Sequence, residues 1–78
     1  SYLALGDLSL RLGRLEEAGR FYRRAVRLDP KQAECQAALG HWALAAGRTR
    51  EAQRQLKKAQ QIDPSNSRVD DLARRLQG

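Results

Sequence analysis

The sequence predicts an all-α fold of stacked helix–turn–helix hairpins, and three observations carry that prediction. Ala, Leu, Arg and Gln dominate the 78 residues, all good helix formers. The β-branched residues come to two Val, one Ile and one Thr, too few for a sheet. Laying residues 1–34 over 35–68 gives 12 identities in 34 without a gap, so the chain is an internal repeat.

The repeat marks each element in turn. A first helix over 2–12 ends at Gly13, since a glycine takes the left-handed turn that closes a helix. The second, over 15–28, opens on Glu16 and Glu17, where acids complement the helix dipole, and stops before Pro30. The third and fourth, over 32–46 and 50–62, repeat this plan around Gly47 and Pro64. "ALG" at 4–6 returns at 38–40, "GR" at 13–14 returns at 47–48, and "LDP" at 28–30 is answered by "IDP" at 62–64. A fifth helix over 67–77 opens on Ser67 and Asp70, an S-x-x-D capping signal. Its polar residues Arg68, Asp70, Asp71, Arg74 and Arg75 surround Val69, Leu72, Ala73 and Leu76, as a helix that ends a stack requires.

This 34-residue hairpin resembles the tetratricopeptide repeat (TPR) family. The first unit offers Tyr2, Leu5-Gly6, Ser9, Ala18, Tyr22, Ala25 and Pro30 at the signature positions. The second offers Gln36, Leu39-Gly40, Ala43, Ala52, Leu56, Ala59 and Pro64. Small residues and prolines agree in both units. One aromatic is missing from the first and all three from the second, and Trp42 is expected to refill that space. The resemblance implies an α-α superhelix, a TPR solenoid fragment: residues 1–34 as repeat 1, with its first helix already under way at Ser1, 35–66 as repeat 2, and 67–78 as a capping helix. Gly6 with Ala18, and Gly40 with Ala52, are expected to let the helices of each hairpin approach closely. Bulkier side chains there would cost about 1–3 kcal/mol.

The leucines of the first helix raise a packing question. Leu3, Leu5, Leu8, Leu10 and Leu12 cannot share one stripe. The repeat assignment turns Leu5 and Gly6 onto the second helix of the same hairpin, with Leu8 and Leu12 in support. It leaves Leu3 and Leu10 for an inner groove.

Nothing in the sequence points to catalysis. There is one His and one Cys, so neither a metal site nor an internal disulfide has a local basis, and no cofactor is expected. No phosphate loop or nucleophile elbow is present. No apolar run is as long as a membrane span. The lone Cys35 reads as a small buried apolar residue and favours a reducing, cytoplasmic setting. Absence of methionine predicts that the chain is a piece of a longer one, with further repeats upstream.

Two surfaces are candidates for binding. The TPR resemblance implies a concave groove lined by the first helix of each hairpin, holding a protein or peptide partner. Its inner face would carry Leu3, Asp7, Leu10 and Arg11, then Glu34, Ala37, His41, Leu44 and Ala45, then Arg68, Asp71 and Arg75. A TPR subclass that clamps acidic chaperone tails places Lys and Asn where Leu3 and Asp7 stand and Asn where Ala38 stands. That clamp is mostly absent, leaving an apolar groove suited to an amphipathic helix or an extended apolar segment. His41 is expected to act as a groove hydrogen-bonder. The second surface is basic: Arg20, Arg23, Arg24 and Arg27 recur one repeat later as Arg54, Lys57, Lys58 and Gln61. With a net charge of +6, this convex face offers an alternative as a nucleic-acid or anionic-surface binder. Self-association into a homo-oligomer through the open first helix is a third reading.

Overall fold

In the computed structural model, which describes residues 1–77, the chain forms five α-helices. They are α1 (Tyr2–Arg11), α2 (Leu15–Leu28), α3 (Ala33–Ala45), α4 (Thr49–Ile62) and α5 (Ser67–Gln77). No strand occurs among the described residues, and Gly78, at the end of the expected capping helix, lies outside them. None of the described helices is long and apolar enough to cross a membrane.

The turns within the two hairpins are built alike. Gly13 and Gly47 take φ of +76° and +78°, the left-handed region that disfavours any residue with a Cβ. After α1, the Gly13 N–H donates to Leu10 O and the Arg14 N–H to Ser9 O. After α3, Gly47 and Arg48 donate to Leu44 O and Ala43 O. Both are Schellman turns, which satisfy carbonyls the helix end would leave open. The start of α5 differs from the S-x-x-D expectation. Asn66 Oδ1 accepts the N–H groups of Arg68 and Val69 at 2.9 and 3.3 Å, so the amide one residue earlier takes the capping role.

Helix α3 is the centre of the stack, packing against each of the other four helices. It is apolar nearly all round, as a buried helix must be. One core group joins Ala18 and Tyr22 of α2 to Ala38, Leu39, Trp42 and Ala43 of α3 and Ala52 of α4. A second joins Ala33 and Ala37 of α3 to Ala59 of α4 and Val69 of α5. Glycines mark where large side chains need room. A Cβ on Gly6 would stand 2.5 Å from the Tyr22 ring, so α1 and α2 approach as closely as the repeat implies. A Cβ on Gly40 would collide first with Leu72 of α5.

Trp42 fills space between the two hairpins, while Ala43 stays small and fully buried. Its ring lies on Gly19, where a Cβ would come within 2.5 Å of Cζ2. Its Nε1–H donates to Leu15 O at 2.6 Å. Arg23 and Arg48 stand over the ring at 5.2 and 5.4 Å, and both pair with Glu51. Gly19 is the residue that the sequence undervalues. A glycine inside a helix costs about 1 kcal/mol relative to alanine, and its presence signals close approach by a neighbour.

The leucine assignment on α1 is overturned for Leu3, Leu5, Leu8 and Leu12. Leu3 and Leu10 are half-buried against the first core group. Leu5, Leu8 and Leu12 face outward, 43%, 47% and 58% exposed. The physical reason lies in the neighbours: α2 and α3 both sit on the Leu3–Gly6–Leu10 side of α1, and no helix covers the other.

Candidate functional site

The first helices α1, α3 and α5 line a concave cleft of about 390 Å³. Asp7, Leu10, Tyr22, Ala38, His41, Ala45, Arg68, Asp71 and Arg75 form its walls. Of the residues expected there, Asp7, Leu10, His41, Ala45, Arg68, Asp71 and Arg75 come together. Arg11 is exposed and does not line the cleft. Leu3 lines a different cavity, and Leu44 packs back onto the core. Ala37 is a correction: it is completely buried among Ala33, Ala59 and Val69, because α5 closes over that side of α3.

A polar network spans the cleft. Arg68 donates from Nη1 and Nη2 to the two carboxylate oxygens of Asp7, each at 3.2 Å. Its Nη2 also stands 3.7 Å from Glu34 Oε1. Two-point pairing fixes the guanidinium plane as well as its charge. Burial works against the Arg68 charge, but the hydrogen bonds and negative charge of Asp7, with Glu34, outweigh it and hold its pKa above the usual arginine value. Tyr22 reaches the same carboxylate from α2, its hydroxyl donating to Asp7 Oδ1 at 2.6 Å. Burial, then this hydrogen bond, raise the Tyr22 pKa well above the ordinary phenol range. The sequence marks Tyr22 as a signature aromatic. Its hydroxyl enters the site only because Gly6 lets the ring lie across α1.

His41 closes the network on α3. A carbonyl can only accept, so Nε2–H donates to Arg68 O at 3.2 Å. Burial lowers the His41 pKa below its ordinary 6.5, and the positive charges of Arg75 and Arg68 add to the effect. The hydrogen bond to Arg68 O and the charge of Asp71 oppose it without reversing it. The unfolded chain therefore takes up a proton near pH 6.5 that the folded chain resists. Stability should be full above that pH and fall as the pH drops from about 7 towards 5. Urea titrations at the two ends of this range should show the loss, and His41→Gln should flatten it. An equal slope in the variant would remove His41 as its source.

The convex face keeps only part of its expected cations. Arg23 is withdrawn from it, pairing with Glu51 at 2.9 Å and covering Trp42, because α2 turns that side towards α3. Arg24 lies over the Tyr2 ring and donates to its hydroxyl at 3.3 Å. Arg24 stays exposed there, as do Arg20, Arg27, Arg54, Lys57 and Lys58. Cys35 is buried, and that burial raises its thiol pKa, which disfavours the reactive thiolate. Among the described residues, no three His, Cys, Asp or Glu side chains group to hold a metal.

A larger cleft of about 790 Å³ opens at the start of α1, between Ser1, Tyr2, Leu3 and Leu5 and the facing Ala25, Leu28, Asp29, Gln32 and Cys35. Its polar lining, Ser1, Asp29 and Gln32, caps the ends of α1, α2 and α3, whereas Asp7, His41, Arg68, Asp71 and Arg75 of the smaller cleft stand within α1, α3 and α5 and include both charges and a histidine.

Comparison with known proteins agrees with the helical repeat. The tetratricopeptide repeat profile matches residues 9–76. No curated protein matches the chain.

Proposed function

The chain belongs to the tetratricopeptide repeat family, whose members are typically non-catalytic scaffolds for protein–protein interaction, and from that premise we propose that it binds a partner peptide or helix in the concave cleft of α1, α3 and α5. The observation that carries this reading is convergence. Three helices from separate parts of the chain bring an apolar floor of Leu10, Ala38 and Ala45 beneath a polar rim of His41, Asp71 and Arg75. Arg68 is already engaged by Asp7 and Glu34, so the cleft has little cationic character left for an acidic tail. A neutral, aliphatic segment with a few polar groups for orientation matches it better. In this reading residues 1–34 and 35–66 act as two repeats, and the helix from Ser67 onward caps them.

The test probes Ala45, which is exposed in the cleft, and spares Leu3 and Leu44, where a charge would strike the core. Peptides selected from a random display library on the wild-type chain should bind Ala45→Arg roughly tenfold more weakly or worse. The variant's thermal melt should be unchanged. Peptides that bind Ala45→Arg equally well, or a library that enriches nothing, would overturn the cleft as the binding site.

A further inference from the structure

The net charge of the chain sits on one surface. Fifteen cations and nine acids give the +6, and six of the cations are Arg20, Arg24 and Arg27 on α2 and Arg54, Lys57 and Lys58 on α4. The nine cations elsewhere balance the nine acids. All six residues are exposed, and among the described residues no carboxylate pairs with any of them. Helices α2 and α4 carry acids only in their first turns. Glu17 is taken by Arg14 and the Ser9 hydroxyl, and Glu51 by Arg23 and Arg48. Glu16 stays exposed, at the opposite end of α2 from Arg27. Asp63, just past α4, accepts from the Ser65 N–H and hydroxyl.

The six cations form two ridges. Arg20, Arg24 and Arg27 share one helical face over about 10 Å. The offset of 34 carries Arg20 to Arg54 and Arg24 to Lys58, so the second ridge repeats the first on the next hairpin. Both helices pack on α3, and the Arg23–Glu51 bridge at 2.9 Å joins them. Arg24 rests on the Tyr2 ring, which steadies its guanidinium without cancelling its charge.

We propose that the outer faces of α2 and α4 bind the phosphate backbone of a nucleic-acid duplex, through charge and without reading its sequence. The surface is separate from the peptide cleft and does not depend on that reading. What lies among the cations selects this occupant. Gln53, Gln60 and Gln61 are exposed on α4, and glutamine amides hydrogen-bond to phosphate and sugar. A face that enters a lipid bilayer carries large apolar residues among its cations. Here Leu15, Leu28 and Ile62 are exposed at the helix ends, outside the ridges. Single-stranded bases stack on exposed aromatic rings. Phe21 is half-buried and stacked on Tyr2, while Tyr22 and Trp42 are buried. A duplex offers its phosphates without needing such rings. Four of the six cations are arginines, which pair with phosphate at two points.

Fluorescence anisotropy with a short labelled DNA duplex of arbitrary sequence is the test. Each neutralised phosphate contributes about −0.9 to the slope of log K against log salt, so the six cations set a limit of about −5. The wild-type chain should bind at low salt with a slope of roughly −3 to −5. Arg24→Gln with Lys58→Gln should make the slope shallower by about two and leave the thermal melt unchanged. Arg11→Gln with Arg74→Gln removes the same charge from exposed sites on α1 and α5 and should leave the slope as it is. No binding at low salt, or equal slopes for the two double variants, would overturn the proposal. So would tighter binding to vesicles of phosphatidylserine and phosphatidylcholine, or to poly-glutamate, than to the duplex. A membrane or an acidic protein would then be the occupant.

Discussion

Replacing Trp42 with alanine should cost about 3–5 kcal/mol, a large share of the stability of so small a domain. The ring is the main filling between α2 and α3, resting on a glycine that offers nothing to close the gap behind it. Its removal also takes away a half-buried hydrogen bond to Leu15 O and the aromatic face under Arg23 and Arg48. The midpoint of urea unfolding, followed by far-ultraviolet circular dichroism, measures the loss. Trp42→Phe keeps most of the ring and loses the N–H, so it should cost about 1–2 kcal/mol. A loss below about 1 kcal/mol for Trp42→Ala would show that the two hairpins are coupled elsewhere.

Leu72→Ala should be nearly as damaging, at about 2–5 kcal/mol. Leu72 is fully buried against Gly40, and with Val69 it supplies the buried contact of α5. Alanine there would face a glycine, leaving a hole that neither helix can fill. The second consequence concerns the cleft. Arg68 sits one turn earlier on α5, so a loosened α5 releases its hold on Asp7 and its carbonyl from His41. The His41 pKa, followed by NMR, should then move back up towards 6.5. A variant that loses stability while His41 stays depressed would show that α5 remains docked without Leu72.

The five helices were legible because their signals are local. Gly13, Gly47, Pro30 and Pro64 punctuate the chain at a fixed offset, and each observed helix end falls within one residue of its expected place. The inner surface was partly legible. Asp7, His41 and Arg68 were placed on it by the repeat resemblance, and they do meet there. That Arg68 spans to Asp7, 61 residues away, and that Tyr22 shares the same carboxylate, depends on how the hairpins stack. The leucines of α1 show the limit most clearly. Periodicity finds two apolar sides on that helix but cannot say which is inside. The answer comes from comparing Leu8 with Trp42 in the folded chain, where the same position is covered in one repeat and open in the other. Ala37 fails for a related reason, since small residues on an inner helix serve a groove or a close helix contact equally well.

The Arg68–Asp7 pair has a mechanical meaning. Helices α1 and α5 do not otherwise pack on each other, and α3 lies between them. The guanidinium therefore works as a tie-rod across the open side of a short coil spring. Pulling the two ends apart loads that strut before it loads the core, whereas bending the coil tighter does not. The stiffness of the array against opening is thus partly ionic, and added salt should soften it in one direction only.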